Sequence, residues 1–189
     1  MQLRVKWPHP QPLSIGEGGN FVSWLKIAEE TKKVCQKYGA KLIINDNVLI
    51  AKEIGADGVH LGKEDMNPKE ARKILGDNFI IGGSSNTIDD VKWLMDNGVD
   101  YIGIGPYRFT STKQNLNPVL GLKGIAGIIT QFPNSSIPFI AIGGIKLEDV
   151  EPLMQTGIHG VAVSSAINMA GDKTEATLKF VTSLRAPML

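Results

Sequence analysis

The sequence is short of several things, and each shortage narrows what the chain can be. It has one cysteine, Cys35, in 189 residues. A single thiol cannot build an internal disulfide framework, and low cysteine usage fits a reducing compartment. Net charge is also scarce: 20 Lys and Arg against 19 Asp and Glu leave a formal +1. There is no global field to gather nucleic acid or an acidic membrane, so any anion binding must come from local loops. No run approaches the roughly 18 to 20 apolar residues of a membrane span. The N-terminus has no signal-peptide hydrophobic region. We therefore expect a soluble, cytoplasmic protein with no nucleic-acid and no membrane partner. Histidine is scarce too. His9 lies among prolines, His159 in a helix-to-strand turn, and His60 inside a strand, where it reads as a satisfied core residue. No Ser-His-Asp, Cys-His or zinc-type spacing is present.

Glycine, by contrast, is abundant at 21 residues, while aromatics make up 6%. That balance suits an α/β protein with many tight turns. The length is enough for one domain with a substantial core. Short apolar runs at residues 2–6, 41–44, 58–61, 79–82, 100–104, 138–142 and 160–163 alternate with amphipathic helical patterns. This is the pattern of successive βαβ units in a parallel sheet. Asn20 can cap a helix whose stripe is Phe21, Trp24, Leu25, Ala28, Thr31, Cys35 and Tyr38, stopped by Gly39. Cys35 then reads as a buried thiol. Asn67-Pro68 opens a helix that ends at Gly76, and Thr87 to Asp90 resembles a capping box. Residues 146–156 and 175–185 read as the last two helices. Ile54-Gly55-Ala56-Asp57-Gly58-Val59, Asn97-Gly98-Val99-Asp100-Tyr101-Ile102 and Thr156-Gly157-Ile158-His159-Gly160-Val161 repeat as helix-to-strand turns. Together these features predict a single α/β domain over residues 1–189, of the (β/α)8 TIM-barrel type with seven units visible. Residues 7–20, with three prolines and three glycines, read as an irregular loop, either a lid or a partly disordered insertion, of which disorder is the favoured expectation.

In such a fold the working groups lie past the carboxyl ends of strands. Asn45-Asp46 follows the run at 41–44, and Gly62 to Asp65 follows the run at 58–61. Asp46 and Asp65 could hold Mg²⁺, which takes one or two carboxylates and completes its octahedron with water and phosphate oxygens. The alternative is that both are ordinary capping or loop residues. Alternation puts Gln2, Arg4 and Lys6 on one strand face, either to meet a polyanion or to protect a sheet edge. After residue 104 comes Gly105-Pro106-Tyr107-Arg108-Phe109-Thr110-Ser111-Thr112-Lys113, two threonines and a cation suited to phosphate or pyrophosphate. Gly143-Gly144 and Ser164-Ser165 follow the last two strands, where phosphate sites recur in this fold. Ser84 either meets ligand or merely precedes the Thr87 cap.

These segments, taken in order, resemble the thiamine phosphate synthase (thiamin-phosphate pyrophosphorylase) family. The resemblance rests on Gln2 to Lys6, Ile44-Asn45-Asp46, Gly55 to Gly62 with Glu64-Asp65, Gly82 to Thr87, Gly103 to Pro106 with Thr110 to Lys113, Gly121-Leu122, Ala141 to Ile145, and Val161 to Ile167. It implies a transferase that joins hydroxymethylpyrimidine diphosphate to thiazole phosphate, releasing pyrophosphate. It implies Mg²⁺ on Asp46 and Asp65. It places Arg4, Lys6, Asn45 and Lys113 at the diphosphate, with Gln2 and Ser84 near the pyrimidine. Thr110, Thr112, Gly144, Ser164 and Ser165 fall to the thiazole phosphate. Arg4, Lys6, Lys113 and Ser84 would be the catalytic contacts. Asn86 stands where the family often has His, and the related thiazole tautomerase relies on a histidine in that loop. Asn86 and the intact Thr-Ser-Thr-Lys loop favour the synthase. Family members also carry a strand and helix ahead of Gln-Leu-Arg-x-Lys, so a binding-only homologue with an open barrel, or a homo-oligomer that closes it, are further expectations.

Overall fold

The computed structural model describes residues 2–3, 18–110 and 117–185, with side chains from residue 24 onward. The chain forms two compact units, Met1–Gly83 and Ser84–Leu189. The boundary falls inside one strand.

The first unit runs β1 (Gln2–Leu3), α1 (Gly18–Lys37), β2 (Ile43–Asn45), α2 (Val48–Glu53), β3 (Gly58–Leu61), α3 (Pro68–Leu75) and the start of β4 (Ile80–Ser85). Its strand pairs β1–β2, β2–β3 and β3–β4 are all parallel. Every residue of β3 is buried. A parallel strand covered on both faces reads as a continuous apolar run, and this is why the run at 58–61 was visible without alternation. Gly58 is required there: a Cβ would lie 2.1 Å from the Ile80 carbonyl oxygen on β4. Leu42, Val59 and Ile81 are wholly buried in this unit, and so is Cys35 at 2% exposure, as its place on the α1 stripe predicts.

The second unit continues through α4 (Ile88–Asp96), β5 (Tyr101–Ile104), α5 (Gly121–Ile129), β6 (Phe139–Ile142), α6 (Val150–Met154), β7 (Gly160–Ala162), α7 (Ser165–Asn168) and α8 (Lys173–Arg185). Here β5–β6 and β6–β7 are parallel. Ile102, Ile104, Ile125, Phe139 and Leu153 fill its core.

Local chemistry sets the helix starts. The Asn67 side chain accepts from the Lys69 amide (2.8 Å) ahead of Pro68, and Thr87 and Asp90 close a capping box. Gly55, Gly98 and Gly157 all adopt positive φ at the expected helix-to-strand turns.

Four sequence expectations shift. Helix α1 begins at Gly18, so residues 18–20 are helical and Asn20 is not its cap. The rest of the expected 7–20 loop lies outside the described residues. Strand β4 extends to Ser85, because Ser85 O accepts from the Gly105 amide (3.1 Å) and Ser85 Oγ donates to Gly103 O (3.1 Å). Ser84 therefore sits within a strand rather than after one. The helix expected at 146–156 is a 3₁₀ turn (Leu147–Asp149) followed by the short α6. Among the described residues no helix is long and apolar enough to cross a membrane.

Candidate active site

In the first unit, the Asn45↔His60 pairing fixes the ends of β2 and β3 side by side. Asp46 follows at once, its amide donating to His60 O (2.9 Å). Asp46 has φ 64, a left-handed conformation that a non-glycine residue holds only at a cost of about 1 kcal/mol or more. Its side chain is exposed. Aspartate visits the left-handed region more readily than most residues, because its short polar side chain can bond locally, and glycine would hold it without that cost.

Asp65 sits four residues beyond β3. Its Oδ2 accepts from the Gly62 amide (2.5 Å), which closes the loop and leaves the carboxylate partly exposed. A Cβ on Gly62 would lie 2.9 Å from that oxygen, so the loop is shaped around the carboxylate. Asp46 and Asp65 thus follow the adjacent parallel strands β2 and β3, and among the described residues no group of three or more His, Cys, Asp or Glu is placed to hold a metal ion. Mg²⁺ characteristically takes one or two protein carboxylates and fills its remaining positions from substrate and water. Lys41 and the Leu42 amide bind Asp57 at the opposite ends of these strands (2.7 and 2.8 Å), well away from this edge.

In the second unit, three strand ends carry the expected anion residues. Ile142↔Ala162 is the last pair of β6 and β7, so Gly144 and Ser164 each lie two residues beyond it. Gly143 and Gly144 both have positive φ (102 and 65). The amides of Gly144 and Ile145 have no acceptor among the described residues. Ser164 and Ser165 are exposed at the start of α7. Thr110 is half-buried, six residues beyond the end of β5.

The loop after β5 is held by Arg108 and Asp149, to which the sequence assigns no role, and by Asn86, which it marks only as a departure from histidine. Asp149, 6% exposed, takes a two-point contact from Arg108: Nη1 to Oδ2 and Nη2 to Oδ1, both 2.8 Å. Tyr107 OH donates to Oδ1 (3.0 Å) and the Lys146 amide to Oδ2 (2.8 Å). Burial alone would raise the Asp149 pKa, but these donors hold it below its ordinary value. Burial and the neighbouring Asp149 push the Tyr107 hydroxyl up, so it stays a donor. Asn86, 7% exposed, spends both hydrogens of Nδ2 on Gly105 O (2.8 Å) and Pro118 O (2.9 Å), tying the two stems of the same loop. His60 is buried in β3, in keeping with a core role.

Of the sequence-predicted site residues, Asn45 ends β2, and Asp46 and Asp65 follow β2 and β3 in the first unit. Ser84, Thr110, Gly144, Ser164 and Ser165 lie in the second unit, at or past strand ends. Arg4, Lys6, Thr112, Lys113 and the Gln2 side chain fall outside the described residues. The signals for Arg108 and Asp149 were weak, since an acid in the first turn of a helix is ordinarily read as favouring the helix dipole.

Known proteins resemble the chain over most of its length. A family model described as thiamine monophosphate synthase matches residues 17–167. The chain is 52% identical over 149 residues to a thiamine-phosphate synthase of Flavobacterium johnsoniae, covering 78% of this chain and 70% of that protein. It is 45% identical over 183 residues to the thiamine-phosphate synthase of Bacteroides fragilis, covering 96% of this chain and 84% of the relative. Among solved structures, the thiamine phosphate pyrophosphorylase of Pyrococcus furiosus superposes with a TM-score of 0.78 at 30% identity, over 89% of this chain and 79% of that one. The chain belongs to the thiamine monophosphate synthase family.

Proposed function

We propose that the chain couples hydroxymethylpyrimidine diphosphate to thiazole phosphate, giving thiamine phosphate and pyrophosphate, on a (β/α)8-type barrel of which seven units are visible. The observation that carries this is positional. Every described side chain that the resemblance assigns to substrate or metal beyond β1 stands at or past the carboxyl end of a parallel strand.

The bond that breaks joins the pyrimidine methylene carbon to a diphosphate oxygen, and its electron pair leaves with pyrophosphate. The thiazole nitrogen lone pair forms the new C–N bond, so no proton need be removed and no protein nucleophile is required. This accounts for a site with neither triad nor general-base histidine. Asp46 and Asp65 would hold Mg²⁺, which when bound neutralises charge developing on a leaving diphosphate. Arg4, Lys6, Asn45 and Lys113 bind the diphosphate, and Gln2 and Ser84 orient the aminopyrimidine. Thr110, Thr112, the Gly144 amide, Ser164 and Ser165 bind the thiazole phosphate. A cytoplasmic location, suited to the single buried cysteine, and assembly with further copies belong to the same proposal.

Asn86 speaks against an isomerase. Its amide nitrogen cannot shuttle a proton, and both of its hydrogens are committed to backbone carbonyls.

The test is direct. The purified 189-residue chain is incubated with both substrates and Mg²⁺, and thiamine phosphate is sought by mass spectrometry. Product is the expected result. A folded sample that makes none, with and without Mg²⁺, overturns the reading.

A further inference from the structure

We infer that Asp149 is a positioning residue for the thiazole-phosphate cradle, acting through Arg108 to lock the Gly143-Gly144 turn against the loop that carries Thr110. The inference rests on the proposed function, because it concerns how that substrate's phosphate is held.

Two carbonyls of the turn are bound by one residue. Gly143 O accepts from the Arg108 amide (2.9 Å) and Gly144 O from Arg108 Nη1 (2.9 Å). In a trans peptide the C=O and the following N–H point in opposite directions. Fixing those two oxygens therefore fixes the directions of the Gly144 and Ile145 N–H groups, the two amides without an acceptor among the described residues. Successive backbone amides in a turn can form a concave donor arrangement that binds anions. The turn is also closely packed: a Cβ at Gly144 would lie 2.9 Å from Phe109 O and 3.0 Å from Arg108 Cβ.

Arg108 could not do this alone. Its side chain is 42% exposed, and a long, half-solvated side chain samples many rotamers. The buried Asp149 carboxylate, 7% exposed at its side chain, removes that freedom through the two-point contact. It also neutralises the guanidinium, so Arg108 serves as a brace rather than the main phosphate cation. Tyr107 and the Lys146 amide hold Asp149 from two further directions. Tyr107 and Arg108, just after β5, are thus tied to the turn after β6.

The test uses Asp149→Asn, Arg108→Met and the double variant in the full chain. Asn is isosteric and can still accept from the Lys146 amide, so folding should persist, which thermal melting checks. Steady-state rates are measured with each substrate varied while the other saturates. The expected result is a rise of about tenfold in KM for thiazole phosphate, the ratio that one charge-assisted hydrogen bond carries. KM for the pyrimidine diphosphate should stay within about twofold. The double variant should be no worse than the poorer single one, since both remove the same brace. With the unphosphorylated thiazole alcohol as acceptor, the variants should match the wild type, a split that a general loss of structure would not produce.

Equal changes in both KM values, additive losses, or an undiminished penalty with the alcohol overturn the inference while the wild type still makes product. A wild type that makes no product overturns the functional reading itself. Should Asp149→Asn fail to fold, Arg108→Lys keeps the charge, loses the fork and carries the same KM comparison.

Discussion

Gly62→Ala tests the proposed metal role of Asp65 with a single methyl group. A Cβ at this position would lie 2.9 Å from Asp65 Oδ2, which is 0.5 Å inside the 3.4 Å where ordinary contact begins. The same oxygen accepts from the Gly62 amide at 2.5 Å. Amide and methyl belong to one residue, so the carboxylate cannot clear the methyl without stretching or losing that bond. A hydrogen bond to a charged group contributes about 1.5–3 kcal/mol, with the lower end apt for a partly exposed carboxylate. Replacing Gly by Ala returns about 0.4–1 kcal/mol through the less disordered unfolded chain. The net expectation is a loss of roughly 0.5–2 kcal/mol, or a Tm lower by about 2–6 °C for a chain of this size. The more specific effect is on the metal. With Asp65 turned away, the Mg²⁺ concentration giving half-maximal rate should rise several-fold, while the rate at saturating Mg²⁺ recovers in part. Differential scanning calorimetry and an Mg²⁺ titration of turnover read the two arms. A variant that melts at or above the wild-type temperature with an unchanged Mg²⁺ titration would refute the placement of Asp65 against Gly62.

Three further outcomes follow from the same geometry. Gly127→Ala is the counterpart: Gly127 is an exposed position inside α5 with nothing within 4 Å of an added Cβ, so the substitution should stabilise by about 0.5–1 kcal/mol, and an unchanged or lower Tm would contradict it. Asp46→Gly should relieve the strain at φ 64, holding or raising Tm by up to about 1 kcal/mol equivalent, yet lower turnover at least tenfold; coupled loss of stability and activity would remove Asp46 from the strained, functional class. Acid sensitivity follows from Asp57 and Asp149. Burial opposes their charged forms, but Lys41 with the Leu42 amide, and Arg108 with the Lys146 amide and Tyr107, bring both below the ordinary 3.8. A depressed folded-state pKa adds stability that is complete above 3.8 and is lost as pH falls through the folded values. The urea midpoint should therefore fall mainly below pH 3.8, and Asp57→Asn or Asp149→Asn should flatten that limb; variants that titrate as steeply as the wild type would refute it.

The features legible in the sequence were those whose physics is local. A strand buried on both faces shows as an apolar run, so β3 and β5 could be placed to within a residue. Caps at Asn67 and Thr87 act on amides two or three residues away and can be read directly. The anion- and metal-type residues could be picked out because they follow strands in order. What stayed hidden depends on sequence separation. Arg108 and Asp149 are 41 residues apart, and nothing beside either distinguishes a buried partner from a solvated charge. Asn86 lies between these cases. The sequence marks it only as a departure from histidine, whereas its partners, 19 and 32 residues away, explain the residue chosen. Each imidazole nitrogen carries at most one hydrogen. It cannot bridge the Gly105 and Pro118 carbonyls from a single atom, as the Asn86 amide does. Asparagine here fastens the stems of the Thr110 loop, and a histidine would leave one of those carbonyls without its donor.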